Sequence, residues 1–327
     1  MYNYFSLLLA MLVISLWSCQ TPTKIDHSIA KWQKLTLSFE GPQTSESASP
    51  NPFTDYRMMV RFRLGERSVV IPGFYAADGN SAETSADSGN VWQVRFRPDE
   101  VGLWTYEVSF REAANIATSD DPEAGTAGYC DGQSGTIEVT AAPSGEEGRL
   151  LRTDARYLQY AESGRYFIKG GAGSPENFLG YADFDGTYKG RAPEEREGEA
   201  TAKEELHRYE PHFQDWKEGD PSWHGDKGKT MIGMLNYLAS KNNNTVYFLT
   251  LNIEGDGKDV WPYTGYDERS RFDCSKLAQW EMVFDHMDDL GLMLHIITQE
   301  TENERLLDDG DTGPQRKLYY RELIARY

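Results

Sequence analysis

This sequence has few cysteines and no recognisable spacing of metal ligands. Only Cys19, Cys130 and Cys274 occur among its 327 residues. Cys19 belongs to an N-terminal export segment, and the other two lie in different predicted domains, so no disulfide framework is expected. The six histidines lack His-x-x-x-His spacing, and no cysteine pair has zinc-ligand spacing. We therefore expect neither a metal centre nor a cofactor.

Positive charge and long apolar runs are also in short supply. Lysine and arginine total 33 against 52 aspartate and glutamate residues, which gives a formal net charge of −19. Such a surface repels phosphates, so nucleic acid is excluded as a partner. The apolar run from Phe5 to Trp17 is about 13 residues long, which is too short for a stable transmembrane helix.

The N-terminal run instead predicts export. It ends in Leu16-Trp-Ser-Cys19, which resembles a bacterial lipobox, in which the cysteine is lipidated. Residues 1–18 are then a signal peptide, and residues 19–30 are a tether to the membrane. Gln20 favours an outer-membrane lipoprotein facing the periplasm or the cell surface. A plain secretory signal or a short anchor remains the alternative.

Residues 31–140 carry a two-residue hydrophobic period. Apolar side chains alternate with polar ones, and turn signals such as Gly41-Pro42, Pro72-Gly73 and Asp78-Gly79 separate the segments. About seven short alternating strands in such a length predict an antiparallel β-sandwich, whose aromatic residues pack in the core. The clearest segments are Leu35–Phe39, Met58–Leu64, Trp92–Phe96 and Trp104–Phe110.

A small acidic linker, residues 141–150, leads into a different pattern over residues 151–327. A hairpin is predicted around Ser163-Gly164. A last helix is predicted from Pro314, with Leu318, Leu323 and Ile324 facing the sheet. Between the hairpin and this helix, two apolar runs, Thr245–Leu251 and Leu292–Thr298, flank a helical pattern that begins at Asp273 and ends at Gly291. Strand, helix and strand of these lengths predict a βαβ unit with a parallel sheet. Ligands of such sheets bind beyond the carboxyl ends of the strands.

Several motifs resemble a known bacterial family. Trp32…Phe39-Glu-Gly-Pro42, Pro72-Gly-Phe74-Tyr-Ala-Ala-Asp78-Gly79 and Pro98-Asp-Glu-Val-Gly102-Leu-Trp104 resemble the immunoglobulin-like "domain of unknown function 5060". In that family the domain precedes a (β/α)8 barrel in glycoside hydrolase-like proteins. Gly170-Gly…Ser174-Pro-Glu-Asn177, Gly255-Asp-Gly257…Trp261-Pro262 and Gln299-Glu-Thr-Glu-Asn303 resemble the first part of that barrel. The implied fold is multidomain: an all-β immunoglobulin-like sandwich plus an α/β (TIM) barrel truncated after its third βα unit.

The resemblance implies a glycoside hydrolase-like lipoprotein that degrades polysaccharide. In related barrels the acid/base glutamate follows the fourth strand, so both catalytic carboxylates are expected beyond Tyr327. The alternatives are a non-catalytic surface glycan-binding lipoprotein and a structural or adhesion module. The partner in the first two cases is a polysaccharide or oligosaccharide.

The candidate substrate-binding residues are acids, amides and tryptophans in the loops after the predicted parallel strands. They are Glu176, Asn177, Trp216, Trp223, Asn252, Glu254, Asp256, Trp261, Glu300, Glu302 and Asn303. Ring faces suit the C–H faces of sugars, and such loops carry binding groups. The same tryptophans can instead pin loops to the sheet, and the acids can cap them. Asn252, Glu254, Asp256 and Asp259 superficially resemble a calcium loop, but their spacing misses the EF-hand pattern.

Overall fold

A computed structural model describes residues 26–154, 156–173, 175–190, 206–255 and 257–327. The predicted signal peptide, Cys19, most of the tether and Asp256 lie outside these ranges. Among the described residues, no helix has the length and apolar character needed to cross a membrane.

The N-terminal part consists of two β-sheets. Its elements are β1 (His27–Ala30), β2 (Leu35–Ser45), β3 (Tyr56–Leu64), β4 (Arg67–Pro72), β5 (Phe74–Tyr75), α1 (Ser81–Thr84), β6 (Ser88–Phe96), β7 (Gly102–Glu112), β8 (Thr126–Ala127) and β9 (Ser134–Thr140). One sheet has the order β1-β9-β7-β3-β4, with β8 paired to β7, and the other has the order β2-β6-β5. The pairings are antiparallel except for β1 with β9. We call this part the antiparallel unit.

Alternating side chains of the two sheets form the core of the antiparallel unit. Trp92 on β6 and Trp104 on β7 are 1% and 0% exposed. The ring of Phe62 stacks on that of Phe96 at a centroid distance of 4.1 Å, and Trp92 meets Phe110 edge to face at 4.9 Å. Such ring pairs add to the stabilisation from apolar burial. The predicted core role of these aromatic residues is confirmed.

The C-terminal part begins with a small antiparallel sheet and continues into a parallel one. Its elements are β10 (Leu150–Leu151), β11 (Leu158–Tyr160), β12 (Tyr166–Phe167), β13 (Gly171–Ala172), α2 (Lys229–Ser240), β14 (Thr245–Leu249), α3 (Cys274–Asp289), β15 (Met293–Ile297) and α4 (Pro314–Arg326). Strands β13, β14 and β15 are neighbours in one sheet and run parallel. The predicted βαβ unit is therefore confirmed, and we call this part the parallel unit.

The resemblance to (β/α)8 glycoside hydrolases implies that the first parallel strand ends near Gly170, but β13 begins only at Gly171. The backbone of Gly170 is already paired there, since its N–H donates to Asn244 Oδ1 at 2.8 Å. At Gly171 an added Cβ would lie 1.9 Å from the carbonyl oxygen of Thr245. Only glycine allows the two backbones to approach this closely, so Gly171 is required where the parallel ladder begins.

Helix α3 matches its sequence prediction closely. Asp273 Oδ1 accepts the backbone N–H of Lys276 at 2.8 Å, which satisfies one free donor of the first turn. Gly291 has φ of +70° just past the helix. The predicted apolar stripe is buried, and Phe284 stacks on Phe248 of β14 at 5.2 Å. The helix therefore covers one face of the parallel sheet.

Helix α4 lies differently from its prediction. The sequence placed Ile324 toward the sheet, but this side chain is 66% exposed, whereas Leu318 and Ala325 are buried. Ala325 packs with Phe74 and Ala76 of the antiparallel unit. Helix α4 thus contacts both units, and its buried stripe is rotated toward the interface between them.

Candidate functional site

Polar loops follow the carboxyl ends of β13, β14 and β15 at one edge of the parallel sheet. This edge includes described residues of the segments 173–190, 250–272 and 298–304. Loops at the carboxyl ends of adjacent parallel strands converge, and ligands of parallel α/β sheets bind there. This edge is the candidate site.

A buried polar cluster lies beneath the edge. Asn177 donates from Nδ2 to Asp259 Oδ2 at 2.9 Å, and its Oδ1 lies 2.9 Å from His207 Nε2. Asn252 Oδ1 accepts the backbone N–H of Lys258 at 3.2 Å. Asn252 and Asp259 are 0% and 2% exposed. These contacts tie the loops after β13 and β14 together, which fixes the floor of the site.

Glycine permits the close approach of these loops. A Cβ added at Gly257 would lie 2.6 Å from Asn252 Nδ2 and 2.8 Å from Asp259 Oδ1. A Cβ at Gly180 would lie 2.6 Å from Asp259 Cγ. The loop backbones therefore cover the Asp259 carboxylate directly, which explains its burial.

Asn303 joins the loop after β15 to the loop after β14. Its Oδ1 accepts the backbone N–H groups of Ile253 and Glu254 at 2.9 and 3.0 Å, and its Nδ2 donates to the Glu254 carbonyl at 2.8 Å. The side chain is completely buried. Asn303 therefore fixes the position of the backbone at residues 253 and 254 without reaching the surface itself. Glu300 is half-buried, and a Cβ added at Gly255 would lie 2.5 Å from its Oε2.

The predicted tryptophans are mostly covered. Trp223 is fully buried, stacks on Phe184 at 5.4 Å and donates its indole N–H to the Asp183 carbonyl at 3.0 Å. Trp261 is 1% exposed. For these two residues the structure favours the alternative that they pin loops. Trp216 is half-buried, and the Lys229 ammonium lies 4.4 Å from its ring centroid.

The exposed part of the edge combines acids with a tyrosine. Glu254 and Glu302 are exposed, and Glu176 is half-buried. Tyr188 is 44% exposed, and its ring meets the ring of Trp261 edge to face at 4.9 Å. The sequence reasoning missed Tyr188, although an aromatic residue in the segment Gly186-Thr-Tyr188-Lys-Gly190 is a detectable signal.

Tyr266 connects these exposed groups and was also missed. Its hydroxyl donates to the Ile253 carbonyl at 3.1 Å, and its backbone N–H donates to Tyr188 Oη at 3.1 Å. Burial, followed by the Glu254 carboxylate, raises the pKa of Tyr266, so it remains a protonated donor. Glu254, Tyr188 and Tyr266 are thus neighbours at the surface.

The chemistry of this edge is hydrogen bonding with one partly exposed aromatic ring. Carboxylates accept hydrogen bonds, and phenols both donate and accept them. Across the part of the chain that the structure describes, no group of three or more His, Cys, Asp or Glu side chains is arranged to hold a metal ion.

Comparison with known proteins adds two findings. A family model described as Domain of unknown function (DUF5060) matches residues 28–111, as the sequence motifs indicated. A crystal structure of a putative glycoside hydrolase from Bacteroides vulgatus ATCC 8482 has a TM-score of 0.50 and 17% identity to this chain. At this identity the similarity concerns the fold alone.

The similarity to that structure covers 85% of this chain and 42% of the other. This chain therefore spans about two fifths of the length of its structural neighbour. A search of curated proteins found no match. The fold is that of a multidomain α/β protein with several sheets, and it is similar to that of a protein described as a putative glycoside hydrolase.

Proposed function

We propose that this chain is glycoside hydrolase-like and binds a polysaccharide or oligosaccharide at the carboxyl edge of β13, β14 and β15. The observation that carries the proposal is the surface formed by Tyr188, Glu254 and Tyr266 at this edge. Exposed carboxylates suit sugar hydroxyls, and an exposed ring suits the apolar face of a pyranose. The fold similarity to a protein described as a putative glycoside hydrolase supports it. Because one fold hosts many functions, the site must carry the argument.

The proposal extends to the architecture. The antiparallel unit is an immunoglobulin-like sandwich over residues 31–140, and residues 151–327 are the first part of a (β/α)8 barrel. Two sheets packed face to face and three parallel strands with intervening helices support this assignment.

The role proposed for this edge is binding, without hydrolysis. Glycoside hydrolysis requires two carboxyl groups about 5–5.5 Å or about 6.5–9.5 Å apart, on either side of the scissile bond. Asp259 is buried and bonded to Asn177, and Glu300 is packed against Gly255. We propose that the catalytic pair is contributed by residues outside this chain, which is consistent with the greater length of the structural neighbour.

Affinity electrophoresis in gels that contain different polysaccharides tests the proposed binding. We expect at least one polysaccharide to retard the protein, and we expect Tyr188→Ala with Glu254→Gln to weaken that retardation roughly tenfold, as for the loss of one good contact. Tyr157→Ala is the matched control, because Tyr157 is 46% exposed and lies beside β11. Retardation by none of the polysaccharides, or equal retardation of all variants, would contradict the proposal. A reducing-sugar assay on the same samples should show no hydrolysis.

We also propose export and lipid attachment at Cys19, which would tether the protein to the outer membrane. The alternative function, a non-catalytic surface glycan-binding lipoprotein, shares this anchor and the same binding edge. Labelling cells with a fatty acid should mark the wild-type protein and leave Cys19→Ser unlabelled. Label on the variant would contradict the assignment.

A further inference from the structure

One segment of the antiparallel unit forms several hydrogen bonds with the loop after β14, which is part of the candidate site. The guanidinium of Arg271 donates to the carbonyl of Ala48 at 2.9 Å and also to the carbonyl of Glu46. Asn51 donates from Nδ2 to the carbonyl of Ser270 at 3.2 Å. The planar fork of arginine suits two acceptors held side by side. Residues 46–53, between β2 and β3, thus hold the end of the loop after β14.

A second set of contacts joins residues 46–53 to the start of α3 and to the residues just before it. Glu46 Oε1 accepts the backbone N–H of Cys274, the first residue of α3, at 2.6 Å. The rings of Phe53 and Phe272 meet edge to face at 5.4 Å and are 1% and 0% exposed. Polar and apolar contacts therefore hold the same short segment, residues 270–274, at four of its five positions.

Backbone pairing carries this restraint to the site. Phe272 forms an antiparallel bridge with Tyr263. The N–H of Thr264 donates to the Arg271 carbonyl at 3.1 Å, and the N–H of Asp273 donates to the Pro262 carbonyl at 3.0 Å. Residues 262–264 of the loop are therefore paired with residues 271–273, and residues 46–53 contact this second segment.

The paired residues 262–264 follow directly after Trp261, which lies beside the exposed groups of the site. The ring of Trp261 contacts the rings of Tyr188 and Tyr266 at centroid distances of 4.9 and 5.5 Å. A continuous series of contacts thus leads from the antiparallel unit to the surface that carries Tyr188.

We infer that residues 46–53 are an intramolecular clamp that positions the Trp261–Tyr266 arm, and that the antiparallel unit is in this way required for the geometry of the binding edge. The resemblance of this unit to the domain of unknown function 5060 implies a structural or spacer role more than catalysis. The effect on carbohydrate binding rests on the proposed function, whereas the effect on loop order does not.

Hydrogen–deuterium exchange of the full chain, read by mass spectrometry, tests the clamp. Arg271→Ala removes both hydrogen bonds to residues 46–48, and we expect peptides covering 261–266 to exchange roughly tenfold faster or more, because their opening is no longer restrained. Peptides within α3 should keep their protection. Arg271→Lys, which keeps the charge but loses the planar fork, should give an intermediate increase and serves if the alanine variant does not fold.

The matched control is Arg97→Ala. Arg97 also joins the two units, through an ion pair with Asp288 at 2.6 Å, but it lies at the far end of α3. This variant should leave exchange in 261–266 unchanged.

The outcomes separate the two proposals. Unchanged exchange in the Arg271 variants, or an equal rise in Arg97→Ala, overturns the clamp whatever the carbohydrate result. Faster exchange only in the Arg271 variants supports the clamp. If the wild-type protein then binds none of the polysaccharides, the proposed function fails while the clamp stands. If it binds one, Arg271→Ala should weaken binding about as much as the double variant Tyr188→Ala with Glu254→Gln.

Discussion

Glu46 makes the contact between the two units sensitive to pH. Its carboxylate lies at the start of α3, where Cys274 donates a hydrogen bond to it. Burial, and then the neighbouring Asp273 carboxylate, raise the pKa of Glu46 from 4.5 to about 7. Asp87 acts in the same direction, and the hydrogen bond from Cys274 opposes it. Burial outweighs the hydrogen bond because it removes water from a full charge.

The sign and size of the effect follow from this pKa. The folded protein binds the proton more tightly than the unfolded chain, so the contribution to stability is complete below pH 4.5 and is lost as the pH rises through about 7. The interval from 4.5 to about 7, at about 1.4 kcal/mol per pH unit, corresponds to at most about 3.5 kcal/mol of unfolding free energy, of which about 3 kcal/mol falls above pH 4.5.

Glu46→Gln isolates this contribution, because glutamine keeps an oxygen that can accept the Cys274 N–H but cannot ionise. Urea unfolding at pH 4.5, 6 and 8 gives the free energy for each protein. We expect the variant to gain up to about 3 kcal/mol relative to wild type between pH 4.5 and pH 8. Glu40→Gln is the control, since Glu40 is an exposed carboxylate on β2, the strand that ends just before Glu46, and its difference from wild type should stay within about 0.5 kcal/mol. Parallel pH profiles for wild type and Glu46→Gln would refute the reasoning.

Three further substitutions test the edge, the core and the orientation of α4. Asn303→Ala should lower the unfolding free energy by about 2–4 kcal/mol, because the backbone groups of Ile253 and Glu254 lose buried partners; a loss below about 1 kcal/mol in urea unfolding would count against this role. Leu277→Ala should lower the unfolding free energy by about 2–5 kcal/mol, since this side chain lies on the buried face of α3 and is 1% exposed. Ile324→Ala, at a position that is 66% exposed, should change stability by no more than about 0.5 kcal/mol in the same assay, and a larger loss would mean that α4 is oriented differently.

Local signals in the sequence determined the elements of this protein. Helix α3 could be predicted nearly to the residue, because a capping aspartate, an apolar stripe and a terminal glycine act within a few residues of one another. The alternating strands of the antiparallel unit and the parallel pairing of β14 with β15 followed from hydrophobic period and length. The sequence also indicated the edge of the parallel sheet at which the candidate site lies.

Only the tertiary structure decided which side chains at that edge face inward. Asn303 and Asp259 were candidate ligands of a substrate or calcium by residue type, but contacts with distant loops bury both. Trp261 was a candidate for sugar binding or for pinning its loop, and it is buried, whereas Tyr188, whose ring meets it, is exposed. A polar loop has no periodicity that reports its inner side, because its direction depends on contacts far apart in the chain. The hydrogen bonds from Arg271 to residues 46–48 join positions more than two hundred residues apart, so no local pattern in the sequence could have predicted them.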